Sequence, residues 1–198
     1  MKIPLSVAIF LGFAPYVAFF VFMRLAGVEI GLWAALVAAM ANAARDWARS
    51  HALKVLEIGN VVLFGALAVA TAALHLDWTV MTVRLAVDIG LLGIILASLA
   101  IGTPFTLQYA RERVPEAIQA TPLFLRVNRI VTAAWAFAFA LLVASHAAVV
   151  WLPGVPLTLD IVVTIAVLAG AIRFSTWYPA RVRARAALAP RKQFNSGE

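Results

Sequence analysis

The chain has 198 residues, of which 64% are hydrophobic and only 13% charged; its mean hydropathy is +0.97. A soluble domain carries about 45–50% apolar and about 25% charged residues, so a water-soluble globule and a disordered chain are excluded and an integral membrane protein is expected. The net charge is +7, yet the basic residues fall in short connections and a tail, a pattern that sets membrane orientation and does not point to nucleic acid.

A helix needs about 20 apolar residues to cross the hydrocarbon core, and six segments fit. The first, 4–23, follows Lys2 and ends at Arg24. It is as long as a span and no A-x-A site closes it, so it reads as a transmembrane helix and not a cleaved signal. The second, 28–44, opens on Val28-Glu29-Ile30, and the third, 55–74, carries Glu57 and Asn60 near its start. The fourth, 79–102, holds Arg84 and Asp88. A longer connection, 103–129, follows, punctuated by Pro104, Pro115 and Pro122, with a surface helix expected over 108–120. The fifth span, 130–152, carries His146, and the sixth, 157–176, opens on Leu159-Asp160-Ile161. A basic tail, 181–198, is expected to fray beyond Pro190.

Lysine and arginine then set the orientation. Thirteen of the sixteen lie on one side: Lys2; Arg45, Arg49 and Lys54; Arg111, Arg113, Arg126 and Arg129; and Arg181, Arg183, Arg185, Arg191 and Lys192. The opposite connections hold Arg24 alone, and Arg84 and Arg173 fall within spans. The positive-inside rule places both termini in the cytoplasm. The expected fold is all-α: one six-helix transmembrane domain over 1–180, built as three antiparallel hairpins, plus the cytoplasmic tail. The even-numbered spans share short matches, such as Phe105-Thr106-x-x-Tyr109 and Phe174-Ser175-x-x-Tyr178. These read as a threefold hairpin repeat or as chance in an Ala/Val/Leu-rich chain.

Ionisable residues in the membrane are costly, which makes them the candidate sites. Arg84 and Asp88 stand at i, i+4 on one helix face, where they can pair with each other or form a gate. Glu29 and Asp160 stand near helix N-termini, where the macrodipole favours a carboxylate. A true repeat would put Glu29, Asp88 and Asp160 at one depth, fit for a cation or a proton. His146 suits an interhelical hydrogen bond or a proton relay. With Arg84 these residues make a candidate outward-facing polar cavity. Glu57, Asn60, Gln108 and Tyr109 make a candidate inner polar site, fit for a headgroup. The chain has no cysteine, and His51, His75 and His146 are too scattered for a metal centre. No P-loop, G-x-S-x-G or H-E-x-x-H motif occurs, so no catalytic residue, metal or cofactor is assigned and no reaction is legible.

The stretch 27–152 resembles the bacterial intracellular septation protein A family of small inner-membrane proteins. The resemblance is carried by Val28-Glu29-Ile30, Trp47-Ala48-Arg49 with Lys54, His75-Leu76-Asp77-Trp78, Thr82-Val83, and Asn128 with Trp135-Ala136-Phe137. The longer 104–122 segment departs from that pattern. The resemblance implies a non-enzymatic cell-envelope and division factor of the inner membrane, acting through membrane-protein partners, a second copy or lipid, with no cofactor. The alternative is a small transporter or channel lined by Glu29, Arg84, Asp88 and Asp160.

Overall fold

A computed structural model describes residues 12–112 and 114–188, with backbone alone at 49–50 and 187–188. Lys2, Arg113, Arg191, Lys192 and the expected fraying beyond Pro190 lie outside the described residues, as does the part of the first span before residue 12. The described chain is all-helical: α1 Ala14–Ala26, α2 Val28–Ser50, α3 Val55–Leu74, α4 Val80–Ala100, α5 Phe105–Arg111, α6 Glu116–Gln119, α7 Pro122–Trp151 and α8 Leu157–Leu188. Five of these helices, α2, α3, α4, α7 and α8, are long and apolar enough to cross a membrane.

Local chemistry sets the breaks. Gly27, at φ +94°, turns the chain between α1 and α2, and His51 (φ 50°) and His75 (φ 48°) end α2 and α3 in the left-handed conformation that closes many helices. Thr79 and Thr121 cap α4 and α7, each hydroxyl accepting from a backbone N–H three residues on, Thr82 and Phe124. Pro122 sits in the first turn of α7, where a missing N–H costs nothing.

The third span coincides with α3, but the charged ends of the others differ from expectation. Helix α2 continues to Ser50 instead of ending at 44, and α8 continues to Leu188, through Pro179, instead of ending at 176. Helix α7 begins at Pro122, eight residues before the expected 130, so Arg126 and Arg129 belong to its first turns. A hydropathy window finds only the lipid-length part of a helix, whereas backbone hydrogen bonding continues until a cap or a proline stops it. The connection after α4 shrinks to 101–121, and the single surface helix expected over 108–120 is instead two short helices split at Pro115. The first of these, α5, is not a surface element: Phe105, Thr106, Leu107 and Tyr109 are buried.

Long helices pack on their sequence neighbours, α1 on α2, α2 on α3, α3 on α4, α4 on α7 and α7 on α8. Aromatic rings on α1, and Phe13 just before it, fill the centre. Tyr16 and Phe19 meet Phe64 of α3 at 5.2 and 6.1 Å, and Phe13 stacks on Trp135 of α7 at 5.5 Å. About a third of each apolar stretch in α3, α4 and α7 is buried, against 11% in α8. The remainder exposes Val62, Val69, Ile89, Phe137 and Ile165, an apolar exterior suited to lipid. We call the end holding Lys54 and Arg126 the basic end, and the end holding 75–79 and 152–156 the opposite end.

One close approach has no slack. A Cβ on Gly31 would stand 2.9 Å from the Met23 backbone nitrogen, across the α1–α2 turn. Gly31→Ala is expected to lower the thermal unfolding midpoint in detergent, by about 1–3 kcal/mol of overpacking. An unchanged midpoint would mean that the two helices part freely.

Candidate functional site

Two polar clusters lie in this apolar bundle, one toward each end. Near the opposite end, three helices contribute one titratable side chain each: Asp88 from α4, His146 from α7 and Asp160 from α8. Asp88 stands eight residues into α4, about 12 Å along its axis. His146 Nδ1 lies 2.5 Å from Asp88 Oδ2, and its Nε2 lies 3.2 Å from Asp160 Oδ2. The Ser145 hydroxyl donates to the other Asp160 oxygen at 2.6 Å. His146 is 3% exposed and Asp160 1%.

The imidazole therefore faces a carboxylate with each nitrogen. A neutral ring has one N–H, so it satisfies one carboxylate and turns a lone pair toward the other. Both contacts become favourable when the group holds two protons, either both on the ring or one on the ring and one on a carboxyl. At the Asp160 side the contact is incomplete: Nε2 and Oδ2 are buried and neither has a hydrogen-bond partner. His146 thus bridges Asp88 and Asp160 and joins α4, α7 and α8 at one point.

The other two members of the expected cavity do not join it. Arg84 does not form the i, i+4 pair with Asp88. Its guanidinium lies over the Phe20 ring, 4.9 Å from the centroid, and its Nε is buried without a partner. The Asp88 oxygen is taken by His146, and the π-face of Phe20 attracts the cation. Glu29 is exposed on the first turn of α2 and lines a separate pocket of about 570 Å³ with Thr71, His75, Asp77 and Trp78. Glu29, second in α2, and Asp88, ninth in α4, also stand at unequal depths, unlike the acids of a threefold repeat.

At the basic end the hub is Lys54. Its ammonium pairs with Asp46 of α2, lies 2.9 Å from Glu112 Oε1 and 3.6 Å from Glu57 Oε1, and sits 4.6 Å over the Tyr109 ring. Asp46 also meets Arg45 at 3.3 Å. The Lys54 backbone N–H donates to Glu57 Oε2 at 3.3 Å, and the Val55 N–H donates to Gln108 Oε1 at 2.8 Å. Three of the four expected inner residues, Glu57, Gln108 and Tyr109, thus gather at the start of α3. Asn60 lies one turn deeper, where it accepts from the Tyr16 hydroxyl at 2.6 Å and donates to the Gly12 carbonyl at 3.3 Å.

Burial alone would lower the Lys54 ammonium, but the Asp46 and Glu112 carboxylates outweigh it and hold it above the usual lysine value. Burial pushes the Tyr109 phenol well above its ordinary range, and the nearby Glu57 adds to this. Asp46, Lys54, Glu112, Tyr16 and Ser145 were not singled out as site residues. The Lys54/Glu57 spacing of three was a usable signal, whereas Tyr16 meets Asn60 only in three dimensions. Among the described residues no group of three His, Asp or Glu side chains is arranged to hold a metal ion.

No family model, curated protein or solved structure matches the chain.

The Lys54 hub has a pH signature. A lysine raised by its partners contributes stability that is complete below its unfolded value, about 10.5, and is lost as pH rises through the higher folded value. The thermal midpoint in detergent is expected to fall above about pH 10.5. Lys54→Met, which takes from Asp46, Glu57 and Glu112 the cation they share, should lower the midpoint already at pH 7, with loss on the order of 3 kcal/mol. A variant as stable as the wild type at pH 7 would remove Lys54 as the hub.

Proposed function

We propose that the chain is a six-span bacterial inner-membrane protein with both termini in the cytoplasm, and that it is a small proton-coupled transporter or channel. The reading of orientation rests on the basic end, which carries Arg45, Lys54, Arg111, Arg126 and Arg129 and so faces the cytoplasm. The reading of activity rests on one observation: His146 lies between Asp88 and Asp160, from three different helices, within an apolar bundle. Chains of Asp, Glu and His inside membranes are the usual parts of proton relays. A ring that takes a proton at Nδ1 from Asp88 and releases one from Nε2 to Asp160 moves a proton between helices and is left as the other tautomer, which a ring flip or the reverse transfer resets. Loading and unloading the triad supplies the two states that a coupled transporter needs.

A second reading keeps the envelope and septation role through protein partners, a second copy or lipid. It is favoured by the pocket at the opposite end. Glu29 and the 75–78 stretch, two of the segments that carry the family resemblance, line it together although 46 residues separate Glu29 from His75. A partner contact there would be sensitive to Glu29 and Asp77 and indifferent to His146.

Proton flux decides between them. The purified protein is reconstituted into liposomes with an entrapped pH-sensitive dye, and a potassium diffusion potential drives proton entry. The expected result is acidification several-fold faster than in protein-free liposomes, with His146→Gln and Asp88→Asn returning to the protein-free rate while still eluting as single folded species. Wild-type protein no faster than empty liposomes would overturn the transport reading and leave the partner-binding one.

A further inference from the structure

The Asp88–His146–Asp160 triad and the Lys54 hub leave Arg24 and Arg84 unused, and both of these arginines stand toward the opposite end, where α1 meets α4. Arg84 is the fifth residue of α4, about 6 Å along its axis from the first. Its guanidinium lies over the Phe20 ring of α1, 4.9 Å from the centroid. Arg24, in the last turn of α1, follows Phe20 by four residues. It therefore shares a helix face with Phe20 and stands about 6 Å nearer the opposite end. A long side chain on a helix leans toward that helix's N-terminus. Helix α1 runs toward the opposite end and α4 runs away from it, so this lean carries the two arginine heads toward each other across Phe20.

Neither arginine is compensated. No carboxylate among the described residues lies within ion-pair distance of either one. Asp88, the partner one turn away from Arg84, is held by His146. Of the three guanidinium nitrogens of Arg84 only Nε is buried, and none makes a hydrogen bond among the described residues. The ring of Phe20 holds the group in place from one side, and the two terminal nitrogens remain as an unoccupied fork at the surface. Arg24 is exposed on the next turn of the same face. Two cations on adjacent helices repel each other, and the apolar surroundings screen them poorly. One anion between them removes both costs.

The place opens sideways, onto the apolar exterior. Val17 and Val21 of α1 and Val80, one turn before Arg84 on the same face of α4, are exposed. Trp78, whose indole donates to the Thr71 hydroxyl at 2.8 Å, and Trp151, the last residue of α7, stand at the same end. Tryptophans gather where a membrane meets water. A guanidinium fork about 6 Å inside the start of a spanning helix is within reach of the headgroup layer at that boundary. Phosphate is the anion of that layer, and it accepts both arms of an arginine fork at once. We propose that Arg84 and Arg24 clamp the phosphate of a phospholipid in the leaflet at the opposite end, seating its headgroup between α1 and α4. The clamp is independent of the transport reading and uses no residue of the triad.

The delipidated protein is titrated in detergent with phosphatidylglycerol while its thermal unfolding midpoint is followed. The expected result is a saturable rise. Arg84→Gln and Arg24→Gln should each raise the lipid concentration needed for half of that rise by about fivefold or more, and Arg84→Lys, which keeps the charge but not the fork, by less. Arg126→Gln, which removes a charge at the basic end, should leave it unchanged. Diacylglycerol with the same acyl chains, and inorganic phosphate, should give no rise. A half-rise concentration unmoved in both Arg84→Gln and Arg24→Gln overturns the clamp. So does an equal shift in Arg126→Gln, which would mean general attraction of anionic lipid to a basic protein. A rise with diacylglycerol as large as with phosphatidylglycerol overturns phosphate as the group recognised. A rise with inorganic phosphate that Arg84→Gln abolishes overturns lipid as its source. If Arg84→Gln does not fold, the exposed Arg24 supplies the variant that decides.

Discussion

The constraint on which this structure depends is the scarcity of protein contact available to a polar group inside it. Only about a third of the apolar stretch of α3, α4 and α7, and far less of α8, is buried, and the rest is an apolar exterior with nothing to offer a charge. An ionised side chain in such a bundle must turn inward and find its partner on another helix. Asp160 does so although α8 is the least buried long helix, and its single buried carboxylate ties that helix to His146 and Ser145 of α7. The packing of α8 on α7 is therefore set at two polar points, this one and the Trp135 indole donating to Ser175 at 2.8 Å. Apolar contact between them gives little directional preference, because lipid is as good a neighbour for Val or Leu as another helix.

The two polar clusters solve the burial of charge in different ways. At the basic end one ammonium serves three carboxylates, and Arg45 adds a second cation to Asp46. That arrangement binds four segments, the end of α2, the start of α3, α5 and the residue after it. At the opposite end the compensating group is an imidazole, the one side chain whose ordinary pKa lies near neutrality. A fixed cation was at hand: Arg84 stands one turn from Asp88. The bundle places it on Phe20 instead. A triad closed by arginine would be a permanent ion pair; one closed by histidine has protonation states to choose from.

Length, hydropathy and the distribution of lysine and arginine made the helical class legible, and α3 was readable to the residue because its ends coincide with the limits of an apolar run. The ends of α2, α7 and α8 were not, since they continue past the apolar stretch into charged turns where only caps and prolines act. The burial of α5 was also hidden. The surface helix expected over 108–120 overlaps only its last four residues, and nothing local says that Thr106 has Thr132 to bond. At the sites, residue type pointed to Asp88, His146 and Asp160, but pairing did not follow from spacing. The i, i+4 rule describes an isolated helix, where Asp88 has Arg84 alone. In the bundle a ring nitrogen 58 positions away along the chain lies closer.

This difference between local and tertiary pairing bears on what the triad is for. Had the polar groups served only to hold helices together, the lowest-cost arrangement would neutralise each charge within its own helix and link helices through hydroxyls, as Thr106 and Thr132 do. An i, i+4 pair needs no long-range folding. The structure instead breaks the local pair, buries two carboxylates against one imidazole, and leaves Nε2, Asp160 Oδ2 and Arg84 Nε without hydrogen bonds. Each of those unmade bonds is a cost to stability with no packing return. That cost is the observation on which the proposed function rests: His146 is held between two carboxylates from other helices although a local partner stood one turn from Asp88.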